Sequence, residues 1–193
     1  MPTNHLQSSI DIVQLAKKQH ALDKFIRDKN DLGESNLHIL VNAYFVEISE
    51  FLNEVRAFKN WSKKGLTTET AYEEYIDGLH FLLSIANDRW DLYENVAIGE
   101  QFQREIDYYY KTFLNKKYIY DENNPKSIER FIEYSLRLYS YNLICESDLS
   151  AFIGYFNLYL TIAYSLGMTP EQIATEYAYK HEINYARQEN GTY

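Results

Sequence analysis

Residues that interrupt helices are scarce in this chain, since only three of its 193 residues are proline and seven are glycine. Short strands joined by tight turns need many such residues, so their scarcity favours long helices. Apolar residues recur three and four positions apart almost throughout, which is the period of a helix with one buried face. No linker or internal repeat divides the chain. The sequence therefore predicts one all-α domain over residues 1–193, large enough to bury a core.

The positions of breaks and caps predict an all-α helical bundle of about seven helices. Gly33, Gly65 and Gly167 fall at three of the breaks. A proline one residue after a threonine, with glutamine two further on, predicts a capping box at the start of the seventh helix, Thr169–Gln172. The predicted helices cover about 9–27, a segment from about 35, 69–93, 99–114, 125–144, a segment capped by Ser147, and a last one from 169.

The formal net charge of −9 argues against a nucleic-acid partner, because a nucleic-acid groove needs a basic face. It leaves room for one nucleotide bound through metal ions, which cancel the repulsion between phosphates and carboxylates. Cys145 is the only cysteine, so no disulfide framework is expected, and the chain suits the reducing cytoplasm. The N-terminus shows no pattern of a secretory signal.

One uncharged segment, residues 149–170, is long enough to span a membrane. It contains Asn157 and Thr161, and its flanking residues, Asp148 and Glu171, are acidic rather than basic. We therefore expect no membrane association, and instead a buried central helix or a helix at a subunit interface.

Two pairs of acids have the spacing of neighbours on one helix face: Glu47 with Glu50, and Glu74 with Asp77. One such pair is weak evidence in a chain with 28 acidic residues, where a solvated acidic surface is the simpler explanation. The third predicted helix is apolar on most sides, however, and a polar stripe runs through it: Glu73, Asp77, His80, Ser84 and Asn87. Acids on a largely buried helix are costly unless they are paired or bind metal.

Four carboxylates from two facing helices would form an all-oxygen site, which is the ligand set that Mg²⁺ prefers. Two ions held in this way can bind a phosphate chain and lower the pKa of an attacking water. Neighbouring anionic groups would also separate the pKa values of the acids, leaving one of them suited to act as a general base.

Four stretches of the sequence together resemble a known family. They are QHALD at 19–23, EISEFLNEVRAFKNW at 47–61, EYIDGLHFLLS at 74–84 and KHEINYARQENGTY at 180–193. This ordered set resembles the dimeric, all-α dUTPase family of phages and bacteria, part of the all-α NTP pyrophosphatase superfamily. The resemblance implies a dUTP diphosphatase that hydrolyses dUTP to dUMP and pyrophosphate, with two or more Mg²⁺ ions at each site.

The resemblance also implies roles for individual residues. Glu50 would be the general base that activates the water attacking the α-phosphorus. The implied metal ligands are Glu47, Glu50, Glu74 and Asp77. The implied partners of the β- and γ-phosphates, four and three residues apart on the last helix, are Lys180, Asn184 and Arg187. Without the resemblance, these three would be interpreted as an exposed basic face on which Glu176 pairs with Lys180.

Three further residues are implied to contact the base or the sugar. The amide of Gln19, both a donor and an acceptor, would bind the uracil edge. Trp61 would lie near the nucleotide, and His80 would lie by the sugar or bond a metal ligand. The alternatives are a surface glutamine, a core tryptophan and a core histidine with satisfied hydrogen bonds. The tail 188–191 resembles a segment that closes over the phosphates.

The resemblance implies a homodimer, with the uncharged sixth helix either at the interface or in the core beneath it. It implies dUTP as substrate, with dUDP a further candidate, and a repressor protein as a further partner, because repressors bind some phage members of the family. Two alternatives stay open. One is a related pyrophosphatase for dCTP or for many nucleotides, of the MazG type. The other is a non-enzymatic helical interaction protein with solvated acids.

Overall fold

The computed structural model describes residues 9–59, 61–62, 64–66, 68–116 and 118–191, with the backbone alone at 115 and 116. The described residues form seven α-helices and no strand, which confirms the predicted all-α bundle. The helices are α1 Ile12–Asn30, α2 Leu37–Val55, α3 Thr68–Trp90, α4 Val96–Lys116, α5 Pro125–Ser140, α6 Leu149–Ser165 and α7 Pro170–Asn190.

The helix ends follow the local chemistry of the sequence. The capping box of α7 forms as predicted, with the Thr169 hydroxyl and the Gln172 side chain each bonded to the other's backbone. The predicted cap of α6 is wrong. The carboxylate of Asp148, rather than Ser147, accepts from the first free backbone amides, because Ser147 lies one residue too early. Helix α5 ends at Ser140, earlier than predicted, since the backbone turns extended at the next residue.

Helix α6 lies in the centre of the bundle and is largely buried, as one of the two predictions for this segment had it. Two of its three tyrosine hydroxyls are hydrogen-bonded inside the core, and that of Tyr164 has no partner among the described residues. Tyr155 donates to Tyr44 at 2.8 Å, and Tyr159 donates to the backbone carbonyl of Tyr75 at 2.5 Å. Within the described part of the chain, no single helix is both long and apolar enough to cross a membrane. Helices α6 and α7 meet that test only together, across a bend of 101°.

Helix α3 connects the elements that carry the predicted site. It packs most extensively against α2 and also contacts α1, α6 and α7. At Gly78 the α3 backbone approaches α6 so closely that an added Cβ would lie 2.7 Å from the Tyr159 hydroxyl. This close contact holds the turn of α3 that contains Glu74 and Asp77 directly against the core.

Candidate active site

Three of the four predicted metal ligands converge. Oxygens of Glu47, Glu50 and Glu74 all lie within 4.8 Å of one another. The C-terminal half of α2 therefore faces the N-terminal half of α3. Ile48 and Phe51, adjacent to the two α2 acids, are fully buried, and this fixes the face of α2 that carries the acids.

The electrostatics of the cluster favour a cation. Burial, and then the charges of Asp77, Glu50 and Glu74, raise the pKa of Glu47 to about 7. Burial and the neighbouring acids also raise the pKa of Glu74. Carboxylate oxygens at this spacing are the donors that hard divalent cations prefer. The residues present therefore fit a divalent metal ion, whose charge would favour the ionised form of both acids against the burial and the repulsion that raise their pKa values.

The fourth predicted ligand, Asp77, is held by a lysine from α7. Lys180 Nζ lies 2.8 Å from a carboxylate oxygen of Asp77 and 2.8 Å from one of Glu73. The lysine is only 7% exposed. The alternative of an exposed basic face with a Glu176–Lys180 pair is therefore wrong. Burial raises the pKa of Asp77, and the Lys180 ammonium opposes that rise.

The two other predicted phosphate partners follow Lys180 along α7. Asn184 is partly buried, and Arg187 is exposed. The positive charge of Arg187 also lowers the pKa of Asp77, which places the guanidinium within electrostatic reach of the acids. A cavity of about 560 Å³ opens beside Lys180, between the first turns of α3 and the middle of α7.

The predicted base reader, Gln19, lies in a buried network instead of on the surface. Its side-chain oxygen accepts from the Tyr177 hydroxyl at 2.8 Å and lies 2.6 Å from His80 Nδ1. Its amide nitrogen donates to Asp23 at 2.7 Å. The alternative of a surface glutamine is therefore wrong, since Gln19 is 4% exposed. Both ends of the amide are engaged within the protein, so contact with a ligand requires these bonds to be exchanged.

His80 belongs to this same network. Its ring stacks on Tyr177 at a centroid distance of 4.2 Å. Burial, with smaller effects from the charges of His181 and Lys180, lowers the pKa of His80 to about 3, so the ring is neutral. Since Nδ1 must donate to Gln19, Nε2 is an acceptor, and it has no hydrogen-bond partner among the described residues. The histidine thus bonds Gln19 and not a carboxylate of the cluster.

Trp61 and the C-terminal tail lie apart from the buried network. Trp61 is 74% exposed and contacts Phe58 edge to face, so the alternative of a core tryptophan is wrong. The tail continues α7 and is tied to the end of α1. Asn30 donates to the Gln188 side chain at 3.0 Å, and Lys29 donates to the backbone carbonyl of Glu189 at 2.9 Å. Residues 192–193 lie outside the described residues.

Two residues of the site carried a signal that sequence reasoning did not use. Glu73 lies on the polar stripe of α3, four residues before Asp77, but the stripe alone does not indicate that it binds Lys180. Tyr177 lies one turn before Lys180 on α7 and carries the hydroxyl that bonds Gln19. Helical spacing alone places both beside predicted site residues.

The fold and the site define an all-α protein with a carboxylate cluster between two helices, a buried lysine from a third helix beside it and a buried polar network nearby. The family model described as dUTPase matches residues 11–193. The chain belongs to the dUTPase family, whose members are nucleotide diphosphatases and generally depend on a divalent metal. No curated protein matches the chain.

Proposed function

We propose that this protein is a Mg²⁺-dependent dUTP diphosphatase that releases dUMP and pyrophosphate. The observation that carries the proposal is the convergence of Glu47, Glu50 and Glu74 within 4.8 Å, in a chain of the dUTPase family. Solvated acids of a helical interaction protein would have no reason to meet from two helices with raised pKa values.

The acids of α2 and α3 hold the metal in this proposal, with two or more ions in each site. The ligands are Glu47, Glu50, Glu74 and Asp77. When bound, Mg²⁺ neutralises the phosphate charge and lowers the pKa of an attacking water. The side chains contribute charge and position, because the helix backbones that carry them are fixed by the core beneath.

Glu50 acts as the general base. Its side chain is exposed, unlike the half-buried Glu47, so solvent water reaches it directly. The carboxylate takes a proton from the water as the water oxygen bonds to the α-phosphorus. The bond from that phosphorus to the bridging oxygen breaks, and the electron pair leaves with pyrophosphate. The proton on Glu50 returns to solvent.

The substrate's two ends contact different helices. Lys180, Asn184 and Arg187 bind the β- and γ-phosphates, since a cation and a forked donor match phosphate oxygens. Gln19 binds the uracil edge once its amide exchanges its bonds to Tyr177 and His80. Trp61 lies near the nucleotide, His80 lies by the sugar, and the tail 188–191 closes over the phosphates.

The homodimer and the repressor partner implied by the sequence resemblance stay predictions. Most of helix α6 is buried within the chain, and one face of it, Ala151, Gly154, Leu158 and Thr161, is only partly buried. Light scattering of the purified protein measures the mass of the particle and tests the homodimer directly.

A nucleotide panel tests the proposed activity. Purified protein is incubated with dUTP, dUDP, dCTP and a purine triphosphate, with and without Mg²⁺, and both monophosphate and pyrophosphate are measured. We expect dUTP to be hydrolysed fastest and only with the metal. Faster turnover of dCTP or a purine triphosphate would show that the base specificity is wrong. No turnover of any nucleotide would contradict the proposed activity as a whole.

A further inference from the structure

Lys180 occupies a position that its proposed role in phosphate binding does not explain. Its ammonium bridges Asp77 and Glu73, each at 2.8 Å, and it is nearly completely buried. We propose that Lys180 is the resident counter-cation of Asp77 in the free protein, and that it thereby sets the number of carboxylates available to the metal. This inference rests on the proposed function, since it concerns the same site.

The geometry divides the four acids into two groups. Glu47, Glu50 and Glu74 have oxygens close enough to share one ion. One carboxylate oxygen of Asp77 is bonded to the Lys180 ammonium, and a metal ion must compete with that ammonium for the oxygen. The free protein therefore presents three carboxylates to a divalent cation, and the fourth is withheld.

An incoming polyphosphate changes this division. Lys180 has a flexible stem of four carbons and borders the cavity of about 560 Å³ between α3 and α7, so the ammonium has space to leave the carboxylates. Phosphate oxygens accept charge-assisted hydrogen bonds from an ammonium as carboxylates do, and a polyphosphate offers several of them. When the lysine turns to the phosphates, Asp77 becomes free to complete the metal site.

Thermodynamic linkage makes this coupling reciprocal. If the nucleotide phosphates release Asp77 and so strengthen metal binding, the metal must strengthen phosphate binding by the same factor. Metal and nucleotide would then load together, and the free protein would hold its metal weakly. Arg187 is the natural comparison, because it is a cation on the same helix whose charge reaches Asp77 but which forms no ion pair with the acids among the described residues.

The test measures Mg²⁺ binding by titration calorimetry in the absence of nucleotide. We compare the wild type with Lys180→Met, which keeps the length of the stem and removes the charge, and with Arg187→Met as the matched control. Lys180→Met should tighten Mg²⁺ binding about tenfold, within the usual range for coupled sites. Arg187→Met should change it by less than about threefold, because an exposed charge is screened by solvent.

Asp77→Asn in both backgrounds separates a specific pair from a general charge effect. In the wild type this substitution should barely change Mg²⁺ affinity, because Lys180 already holds the carboxylate. In the Lys180→Met background it should remove most of the gain. Equal effects of Asp77→Asn in the two backgrounds would overturn the proposal, and so would equal effects of the lysine and arginine variants.

Circular dichroism and thermal melting establish that each variant is folded, and Lys180→Gln replaces the methionine variant if that one unfolds. The metal alone is the probe, so the outcome does not depend on catalysis. If no nucleotide is hydrolysed but Asp77→Asn has the predicted different effects in the two backgrounds, the dUTP assignment is rejected and the role of Lys180 is kept. If dUTP is hydrolysed but Asp77→Asn has equal effects in the two backgrounds, the activity is kept and the role of Lys180 is rejected.

Discussion

The polar groups of two consecutive parts of α3 have opposite environments. In the first part, Glu74 joins the acids of α2 in a cluster of three carboxylates, where burial and the neighbouring acids raise the pKa of Glu47. In the second part, His80 belongs to a network in which Gln19 is fully hydrogen-bonded. The first region fits a cation as its ligand. The second is held by hydrogen bonds within the protein, with only His80 Nε2 lacking a partner among its bonded groups, and Gln19 must exchange bonds to receive a ligand.

This difference leads to opposite expectations for substitutions. Removing a polar group from a satisfied buried network leaves its partners without bonds and destabilises the fold. Removing a charge from an unbalanced cluster relieves repulsion, and so it stabilises the fold while abolishing the function. The predictions below follow this contrast.

The largest effect is expected on turnover. Glu50→Gln removes the proposed general base, and the rate of dUTP hydrolysis should fall by a factor of about 10²–10⁴. The measurement is pyrophosphate release at saturating dUTP and Mg²⁺. Glu129→Gln, an exposed acid of α5, is the control and should keep the wild-type rate. If Glu50→Gln turned over at a rate comparable to the wild type, Glu50 could not be the base.

The second-largest effect is expected on the stability of the fold, when a residue of the Gln19 network is replaced. Gln19→Leu leaves His80 Nδ1 without its acceptor and the Tyr177 hydroxyl with only its longer bond to the Leu15 carbonyl, and we expect a loss of about 1–3 kcal/mol in the free energy of unfolding. Urea denaturation followed by circular dichroism measures it. Gln14→Leu, an exposed position of the same helix, is the matched control. A Gln19 variant as stable as the control would mean that the network contributes nothing to the fold.

The smallest expected effect is a gain in thermal stability rather than a loss. The pKa of Glu47 in the folded protein, about 7, lies above its ordinary value of 4.5. The folded state therefore holds the extra proton between these values, and stability falls as the pH rises through this window and stays lower above it. Glu47→Gln should raise the Tm of the metal-free protein at pH 8 by about 2 °C, a small change because solvent screens a half-buried charge.

The same variant should show no such gain at pH 4.5, where Glu47 is largely protonated in the folded protein. Thermal melts with a chelator at the two pH values provide the comparison. A Glu47 variant that melts below the wild type at pH 8 would indicate that the cluster is balanced by the protein itself, which contradicts the contrast between the two regions.

The sequence predicted the fold and the pairs of acids on α2 and α3 because both depend on local spacing. Helical periodicity and caps such as Thr169–Gln172 are encoded within a few residues, and acids three apart share a face in any helix. The errors at the ends of α5 and α6 amount to a few residues. At α6 two neighbouring polar side chains could cap the same backbone amides, and at α5 the backbone becomes extended before the apolar pattern ends.

The burial and the bonding partners of individual side chains could not be predicted from local spacing. Lys180 pairs with Asp77 and not with Glu176, four residues before it, because tertiary packing brings α3 nearer than the preceding turn of its own helix. Gln19 is buried because α7 supplies Tyr177 at that point. Such pairings depend on how distant helices meet, which a single sequence records only through resemblance to a family.

The most direct test of the central claim is to locate the bound metal. Crystals grown with Mn²⁺ in place of Mg²⁺, with and without a non-hydrolysable analogue of dUTP, give an anomalous signal at each ion. We predict a peak coordinated by Glu47, Glu50 and Glu74 in the free protein, with Asp77 added when the analogue is bound. An empty cluster in both crystals, or ions bound only elsewhere on the surface, would contradict the account.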